Sequence, residues 1–381
     1  MTAVDLTLPP VRLPDAAVAL REEVRSFIDE QIAAAAFTPA CDTWLGGFSA
    51  DFSRELGRRG WVGMTWPRAY GGHERSAMER FVVIEELLAA GSPVAAHWVS
   101  DRQTGPALLK YGTEEQRQRL MPGMARGETY FAIGMSEPDS GSDLASVATR
   151  AERTEAGWRL NGTKVWTSNA HRTQYMLTLC RSTPRSKDDR HGGLSQFIID
   201  LSAPGVQVRP ILLMNGEHHF NEVVLEDVIV PDDMVLGEIG NGWQQVASEL
   251  AYERSGPERF LSTFPLLNAF VAAIEDRVDA RSLSVVGELA SQVWAVRQMS
   301  LSVAGALDRG DAPDVNAALI KDVGTRLEQE IIDLVRRAAP TAAGDRFDAL
   351  LAQATLHAPG FTLRGGTNEI LRSIVSKGLG L

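Results

Sequence analysis

Two cysteines, Cys41 and Cys180, occur in the 381 residues. They are too few for a disulfide framework and lack metal-site spacing. A reducing cytoplasm is therefore the simplest compartment. No window approaches the ~18 consecutive apolar residues of a membrane span. Met1–Pro10 has no basic stretch followed by an apolar core, so no secretory signal is expected. No Gly-x-Gly-x-x-Gly follows a strand-like run and no P-loop is present, which argues against a nicotinamide-binding Rossmann domain or an NTPase. Positive charge is also in deficit. The formal net charge is −11, which argues against a nucleic-acid-binding surface but leaves room for a local basic pocket that takes an anionic ligand.

What remains is an ordinary globular composition, 44% hydrophobic and 23% charged, in a chain long enough for two or three domains. Helical periodicity is expected over Pro14–Ala36, where Val18, Leu20, Val24, Phe27, Ile28 and Ile32 approximate one face. Phe48–Arg59, Ala77–Ala90 and Val94–Tyr111 read as further helices. Thr113 is a candidate N-cap for Glu114–Ala125. The pattern then shortens. Thr129–Met135, Gly157–Leu160, Thr163–Thr167, Gln174–Cys180, Ser195–Asp200, Val206–Pro210 and Glu222–Val230 read as strands between turn residues. Arg181–Gly193 is polar and reads as an exposed excursion. Helices return over Trp243–Leu267, Leu283–Leu307, Val315–Arg337, Arg346–Leu356 and Thr367–Ser376. This order gives an α+β chain: an N-terminal helical domain (1–128), a small central β domain, barrel or sandwich (129–240), and a C-terminal helical bundle (241–381). The adjacent His218 and His219 read as exposed strand residues on opposite faces, and His97 as a structural helix residue.

Four stretches stand out. Met135-Ser136-Glu137-Pro138-Asp139-Ser140-Gly141-Ser142-Asp143 packs three serines, a proline and a glycine behind a strand. Such a turn presents N–H groups and hydroxyls to a ligand with carbonyl or phosphate oxygens. Asn161-Gly162-Thr163-Lys164-Val165-Trp166-Thr167-Ser168-Asn169 carries an indole beside two hydroxyls, all of which need partners if buried. Phe220–Pro231 is followed by Gly237 and Gly240-Asn241-Gly242-Trp243. Arg364-Gly365-Gly366-Thr367-Asn368-Glu369-Ile370-Leu371-Arg372 opens the last helix.

In this order and spacing the four stretches resemble the acyl-CoA dehydrogenase family of FAD enzymes, from the first helix to the C-terminus. The resemblance implies α,β-desaturation of an acyl-CoA thioester. A carboxylate removes the α proton and the β hydrogen leaves as hydride to flavin N5. Ile133, Met135 and Ser136 would contact the flavin's pyrimidine side. Ser142 would lie near the pyrophosphate or the CoA. Trp166 would lie against one face of the ring system, with Thr167 and Ser168 beside it, and Ser168 would bond N5. Thr367 and Glu369 are carried over as further cofactor contacts. Gly365 would supply the backbone N–H that, with a ribityl hydroxyl, polarises the thioester carbonyl, and Gly366 would lie against the substrate.

The chain departs from the commonest family pattern twice. Many members carry the catalytic Glu where Gly365 stands. The isovaleryl-CoA and long-chain branches carry it on an earlier helix before an Arg, which here is Glu253 within Leu250-Ala251-Tyr252-Glu253-Arg254. Glu253 is therefore the expected base, tuned by burial, with Tyr252 and Arg254 near the acyl or CoA chain. The second departure lies on the ADP side of FAD. In place of Arg-x-x-Phe-Gly stands Asp276-Arg277-Val278-Asp279-Ala280-Arg281-Ser282-Leu283. In place of Gln-x-x-Gly-Gly stands Gln353-Ala354-Thr355-Leu356-His357-Ala358-Pro359-Gly360. Either the protein is a homo-oligomer with altered FAD binding, or it is one half of a mixed complex like the bacterial heterotetrameric members of sterol side-chain breakdown. A dimer of dimers and an electron-transfer flavoprotein as acceptor are implied by resemblance. Two competing functions are a flavin monooxygenase or oxidase on the same fold, and a non-catalytic partner subunit. The acyl group is not named by any motif, although a base on the earlier helix leans toward branched, long or bulky chains.

Overall fold

The computed structural model describes residues 6–186, 188–276, 278–311, 313–341 and 343–381, with backbone only over 249–253. The chain divides into two compact units. One comprises Met1–Gly47, Arg75–Val94 and Ala251–Leu381, and the other Phe48–Glu74 and Ala95–Leu250.

The first unit is helical. It contains α1 (Asp15–Ala33), α2 (Thr43–Gly46), α4 (Ala77–Ala89), α9 (Phe264–Ile274), α10 (Ala280–Asp308), α11 (Asp314–Ala338), α12 (Asp345–Phe361) and α13 (Asn368–Gly378). Most of α8 (Gly242–Glu253) belongs to the second unit. Ala17, Phe81, Val82, Leu301 and Ala304 pack together among α1, α4 and α10, and Glu85 of α4 receives the Arg297 guanidinium of α10 at 2.5 and 2.9 Å. A single helix over Trp243–Leu267 is not what forms. The α8 helix stops at Glu253, and a short turn at Pro257–Arg259 precedes α9. Gly256-Pro257 explains the break, because proline disfavours helix at the residue before it.

The second unit is built on one sheet: β1 (Phe131–Gly134), β2 (Arg150–Thr154), β3 (Gly157–Ser168), β4 (Tyr175–Arg181), β5 (Leu194–Asp200), β6 (Val206–Leu212), β7 (His218–Val230) and β8 (Val235–Leu236). Their order is β6-β7-β3-β2-β4-β5-β8, with β1 pairing parallel to β4. The helices α3 (Ala50–Arg58), α5 (Ala95–Val99), α6 (Gly105–Tyr111) and α7 (Glu114–Ala125) belong to the same unit. Leu108, Leu120, Met121 and Met124 join Leu160, Leu177, Phe197 and Val223 in its core. Each fully buried side chain of this size contributes roughly 1.5–3 kcal/mol. Thr113 caps α7 as expected, in a capping box with Gln116.

Three local differences from the sequence reading have physical causes. Val94–Tyr111 is interrupted by a π-helical turn at Ser100–Thr104, where one wider turn is inserted into the helix. The two short runs at Gly157–Leu160 and Thr163–Thr167 are one strand, β3, kept in register with β7 by shifts at Leu160/Gly162 and Lys164/Thr167. Strand β2 (Arg150–Thr154) is rich in charge, and its polar sequence hides it. Among the described residues no helix is long and apolar enough to cross a membrane.

Helix α11 carries Lys321, Thr325 and Glu328 on one buried face, as the i, i+4, i+7 spacing dictates. Glu328 accepts the Ser262 N–H at 2.8 Å. Burial raises its carboxyl to about 7, against the pull of Arg364. Such a group favours the fold while protonated, and that contribution is lost as pH climbs from about 4.5 to about 7. Glu328→Gln keeps the shape without the charge. Urea denaturation should therefore find the variant more stable than wild type at pH 8, by on the order of a few kcal/mol, with the gap closing toward pH 4.5. A variant no more stable at pH 8 would mean the carboxylate is compensated there.

Candidate functional site

The sheet unit brings the first two motifs side by side. As Met135, Ser136 and Glu137 leave β1 they run along Lys164 and Val165 of β3. Val165 N–H donates to the Ser136 carbonyl at 2.9 Å. Lys164 Nζ donates to the Met135 carbonyl at 3.2 Å and to Glu137 Oε1 at 2.7 Å. Glu137 also accepts the N–H groups of Ala148 at 2.7 Å and Thr149 at 2.9 Å, and the Thr149 hydroxyl. Lys164 has no exposed surface. Burial works to raise the Glu137 carboxyl, but Lys164 and these donors hold it below the usual carboxylate range. Burial also lowers the Lys164 ammonium, opposed by Glu137. Beyond Glu137 the turn closes through paired backbone bonds with Ser140 at 2.8 and 3.1 Å. Ser142 is exposed further along the same turn.

Trp166 sits at the register shift between Lys164 and Thr167. It has a left-handed backbone, φ 59°, and its indole is 57% exposed. That conformation costs a non-glycine residue of order 1–3 kcal/mol. Phe220 meets the ring edge-on at 5.7 Å. Thr167 is fully buried, and its hydroxyl has no hydrogen-bond partner among the described residues. Its carbonyl accepts from Asn221 at 2.9 Å. Ser168 is half-buried and pairs with Phe220 in register. Ile133, Met135 and Ser136 are half-buried on the neighbouring segment. A strained, outward-held indole beside hydroxyls and a pinned peptide edge fits a planar heteroaromatic ring such as a flavin.

The helical unit holds the other expected residues. Arg254 is 6% exposed. The side chains of Tyr252 and Glu253 lie outside the described residues. Gly365 and Gly366 have left-handed backbones, φ 65° and 85°. A Cβ at Gly365 would lie 2.9–3.2 Å from the Arg259 guanidinium. This position therefore requires glycine on two counts, conformation and space. Thr367 caps α13 by accepting the Ile370 N–H at 3.4 Å. Glu369 is exposed in the first turn, where its own backbone N–H and the Thr367 hydroxyl hold its carboxyl below the usual range.

On the expected ADP side, Gln353 Oε1 accepts the Cys41 N–H at 2.9 Å, and His357 is buried with Nδ1 3.3 Å from Asp42. Both of these contacts lie within the helical unit. Asp279 caps α10 through the Ser282 N–H at 2.7 Å, Arg281 is exposed, and Arg277 lies outside the described residues.

One histidine expectation is overturned. His219 is buried, at 8% exposure, with Nε2 2.5 Å from Glu217, and His218 is half-buried with its ring stacked 3.8 Å from His171. The short helix Ala170–Arg172, which the sequence reading did not place, brings that ring over. His97 is structural as read, buried and bonded to Ser53 at 2.7 Å. The roles of Lys164 and Glu137 were missed. A lysine flanked by Gly162, Val165 and Trp166 on a strand is the one signal that pointed to burial.

Comparison with known proteins gives three consecutive matches to acyl-CoA dehydrogenase domains: N-terminal over residues 14–128, middle over 132–228 and C-terminal over 283–380. Acyl-CoA dehydrogenase FadE29 of Mycobacterium tuberculosis is 32% identical over 85% of this chain and 86% of its own length. Among solved structures, the Tcur3481-Tcur3483 steroid ACAD is 28% identical, with TM-score 0.86 and 99% of each chain covered. The ChsE4-ChsE5 complex from Mycobacterium tuberculosis is 26% identical, with TM-score 0.82, covering 98% of this chain and 99% of that one.

Removing one partner of a buried ion pair leaves an uncompensated charge, which costs about 3–5 kcal/mol. Lys164→Met should lower the stability of the sheet unit by that order in urea denaturation. Adding Glu137→Leu should recover part of the loss, and a double variant worse than the single would contradict the pairing.

Proposed function

The chain belongs to the acyl-CoA dehydrogenase family, and on that premise we propose that it desaturates an acyl-CoA thioester between its α and β carbons with FAD as cofactor. The observation that carries this reading is the convergence of the first two motifs. Lys164 and Val165 pin the Met135–Glu137 peptide edge beside an indole held outward against backbone preference.

Bound flavin supplies the acceptor for the β-hydride. The chain's own residues do the rest. Ile133, Met135 and Ser136 would hold the flavin's pyrimidine side, Trp166 would lie against its ring system, and Ser168 would donate a hydrogen bond to it. Ser142 and Thr367 add contacts farther along the cofactor, and Glu369 places a negative charge near Thr367. Glu253 takes the α proton. Gly365 N–H binds the thioester oxygen as negative charge gathers there, so the α proton becomes acidic enough for a carboxylate. Arg254, Tyr252 and Gly366 line the acyl and CoA path. The division at 128/129 and 240/241, a cytoplasmic location and an electron-transfer flavoprotein as acceptor belong to the same proposal. A base on the earlier helix, Glu253, leans the substrate toward branched, long or bulky acyl groups.

A mixed oligomer is favoured over a homo-oligomer by one specific observation. Gln353 and His357, in the stretch where the family's ADP-holding loop is expected, bind Cys41 and Asp42 within their own unit. A paralogous subunit would then supply the ADP contacts. The relatives named as the ChsE4-ChsE5 complex and the Tcur3481-Tcur3483 steroid ACAD are consistent with that arrangement.

Flavin-loaded protein, with its partner subunit if one is needed, should bleach its flavin absorbance under anaerobic conditions with one of a panel of acyl-CoAs. Glu253→Gln should slow that bleaching roughly 10²–10⁴-fold without loss of flavin. Bleaching that survives the substitution would remove Glu253 as base. The protein expressed alone should hold FAD poorly and regain it on co-expression with a paralogue. Stoichiometric FAD in the lone protein would overturn the mixed-oligomer reading.

A further inference from the structure

Two separate grips hold the segment that carries Gly365 and Gly366. Lys321 forms one: its Nζ donates to the Gly366 carbonyl and to Asn368 Oδ1, both at 2.8 Å. Arg364 forms the other. Its Nη1 reaches both carboxylate oxygens of Asp42, at 2.6 and 2.7 Å, and its Nη2 donates to Ser262 Oγ at 3.1 Å. The guanidinium also lies 4.2 Å from the Trp44 ring centre and 4.9 Å from that of Phe361.

Asp42 is an unusual residue to find at the far end of such a bond. It is 2% exposed and its backbone is left-handed, φ 56° and ψ 34°. Its N–H donates to the Ser262 carbonyl at 2.8 Å. Burial would raise its carboxyl, but Arg364 and His357 hold it below the usual range. A strained backbone and a buried charge each carry a cost. The carboxylate's two-pronged partner is the Arg364 guanidinium, with His357 Nδ1 at 3.3 Å as a second, and the residue after Arg364 is Gly365. A 1 Å misplacement of a group that touches the reacting atoms costs about 10²-fold in rate.

We propose that Asp42 is a positioning residue for the reaction: through Arg364 it fixes the Gly365 N–H where the thioester oxygen gains negative charge. This rests on the role given to Gly365 above. No motif contains Asp42, which lies in the N-terminal segment between α1 and α2.

The test uses the flavin-loaded enzyme, with its partner subunit if one is needed, and an acyl-CoA analogue with sulfur replacing the β carbon. The analogue can lose its α proton but cannot give up a β-hydride. Its anion is followed by charge-transfer absorbance against the flavin while pH is varied. Wild-type enzyme should depress the analogue's α-proton pKa. Asp42→Asn should reverse that depression by roughly one to two units, a tenfold to hundredfold weaker deprotonation. The rate constant kcat should fall in parallel, with flavin content and affinity for the protonated analogue nearly unchanged. An unmoved α-proton pKa, with activity lost only in proportion to folded protein, would make Asp42 a structural residue and overturn the proposal. If Asp42→Asn does not fold, Arg364→Lys keeps the cation without its two-pronged reach and makes the same comparison, and an unmoved pKa there overturns the proposal equally. Wild-type enzyme that never deprotonates the analogue would instead remove the dehydrogenase reading of Gly365.

Discussion

A lysine with no exposed surface sets the geometry at the end of the sheet. Burial lowers the Lys164 ammonium, and Glu137 at 2.7 Å opposes that; Lys164, two backbone N–H groups and a hydroxyl in turn hold the Glu137 carboxyl below the usual range against its own burial. A buried pair of this kind earns little net stability against an apolar replacement, but its failure is expensive. What it contributes is register. With the Met135 carbonyl tied to Lys164, the turn after β1 cannot slide along β3, and the residue two places on, Trp166, is carried outward at a bulge. Strand slippage by one residue would turn every side chain to the opposite face. The pair therefore specifies which side of β3 meets the ligand.

The helical unit uses buried charge differently. Ser262 is a hub. Its N–H reaches Glu328, its carbonyl receives Asp42, and its hydroxyl receives Trp44 and Arg364. Lys321 is lowered to about 7, by burial first and then by Arg259 and Arg364. Two groups of opposite type, Lys321 and Glu328, thus sit close to neutrality on one helix face. The cluster carries its charge chiefly on arginines, which do not give up protons at accessible pH.

The layers of the fold were legible because helices and strands of this chain differ in period and are segregated along the sequence. Short strands between turn residues separated cleanly from amphipathic helices on either side. Motif spacing brought the right segments of the sheet unit together, as Met135–Glu137 and Lys164–Ser168 show. What sequence hid was of two kinds. Strand β2 has charges where alternation was sought, and the π turn at Ser100–Thr104 leaves no compositional trace. Pairings across long separations were also hidden. Asp42 and Arg364 stand 322 residues apart, and no periodicity links them. His219 was misread because the strand was taken to begin at Glu222, whereas β7 begins at His218 and its alternation puts His219 on the buried face with Asn221, Val223 and Leu225.

The crowding at Gly365 bears on how such sites change over evolutionary time. The family resemblance offers two addresses for the catalytic carboxylate, and a single substitution would look sufficient to move it to the second. Here it is not. A side chain at 365 would have to enter space held by the Arg259 guanidinium while adopting a backbone conformation that suits glycine. Arg259 is itself buried, at 1% exposure, and lies over Trp44 at 5.2 Å, so its removal would disturb a packed layer. A carboxylate at 365 would have to displace that arginine as well as strain the backbone.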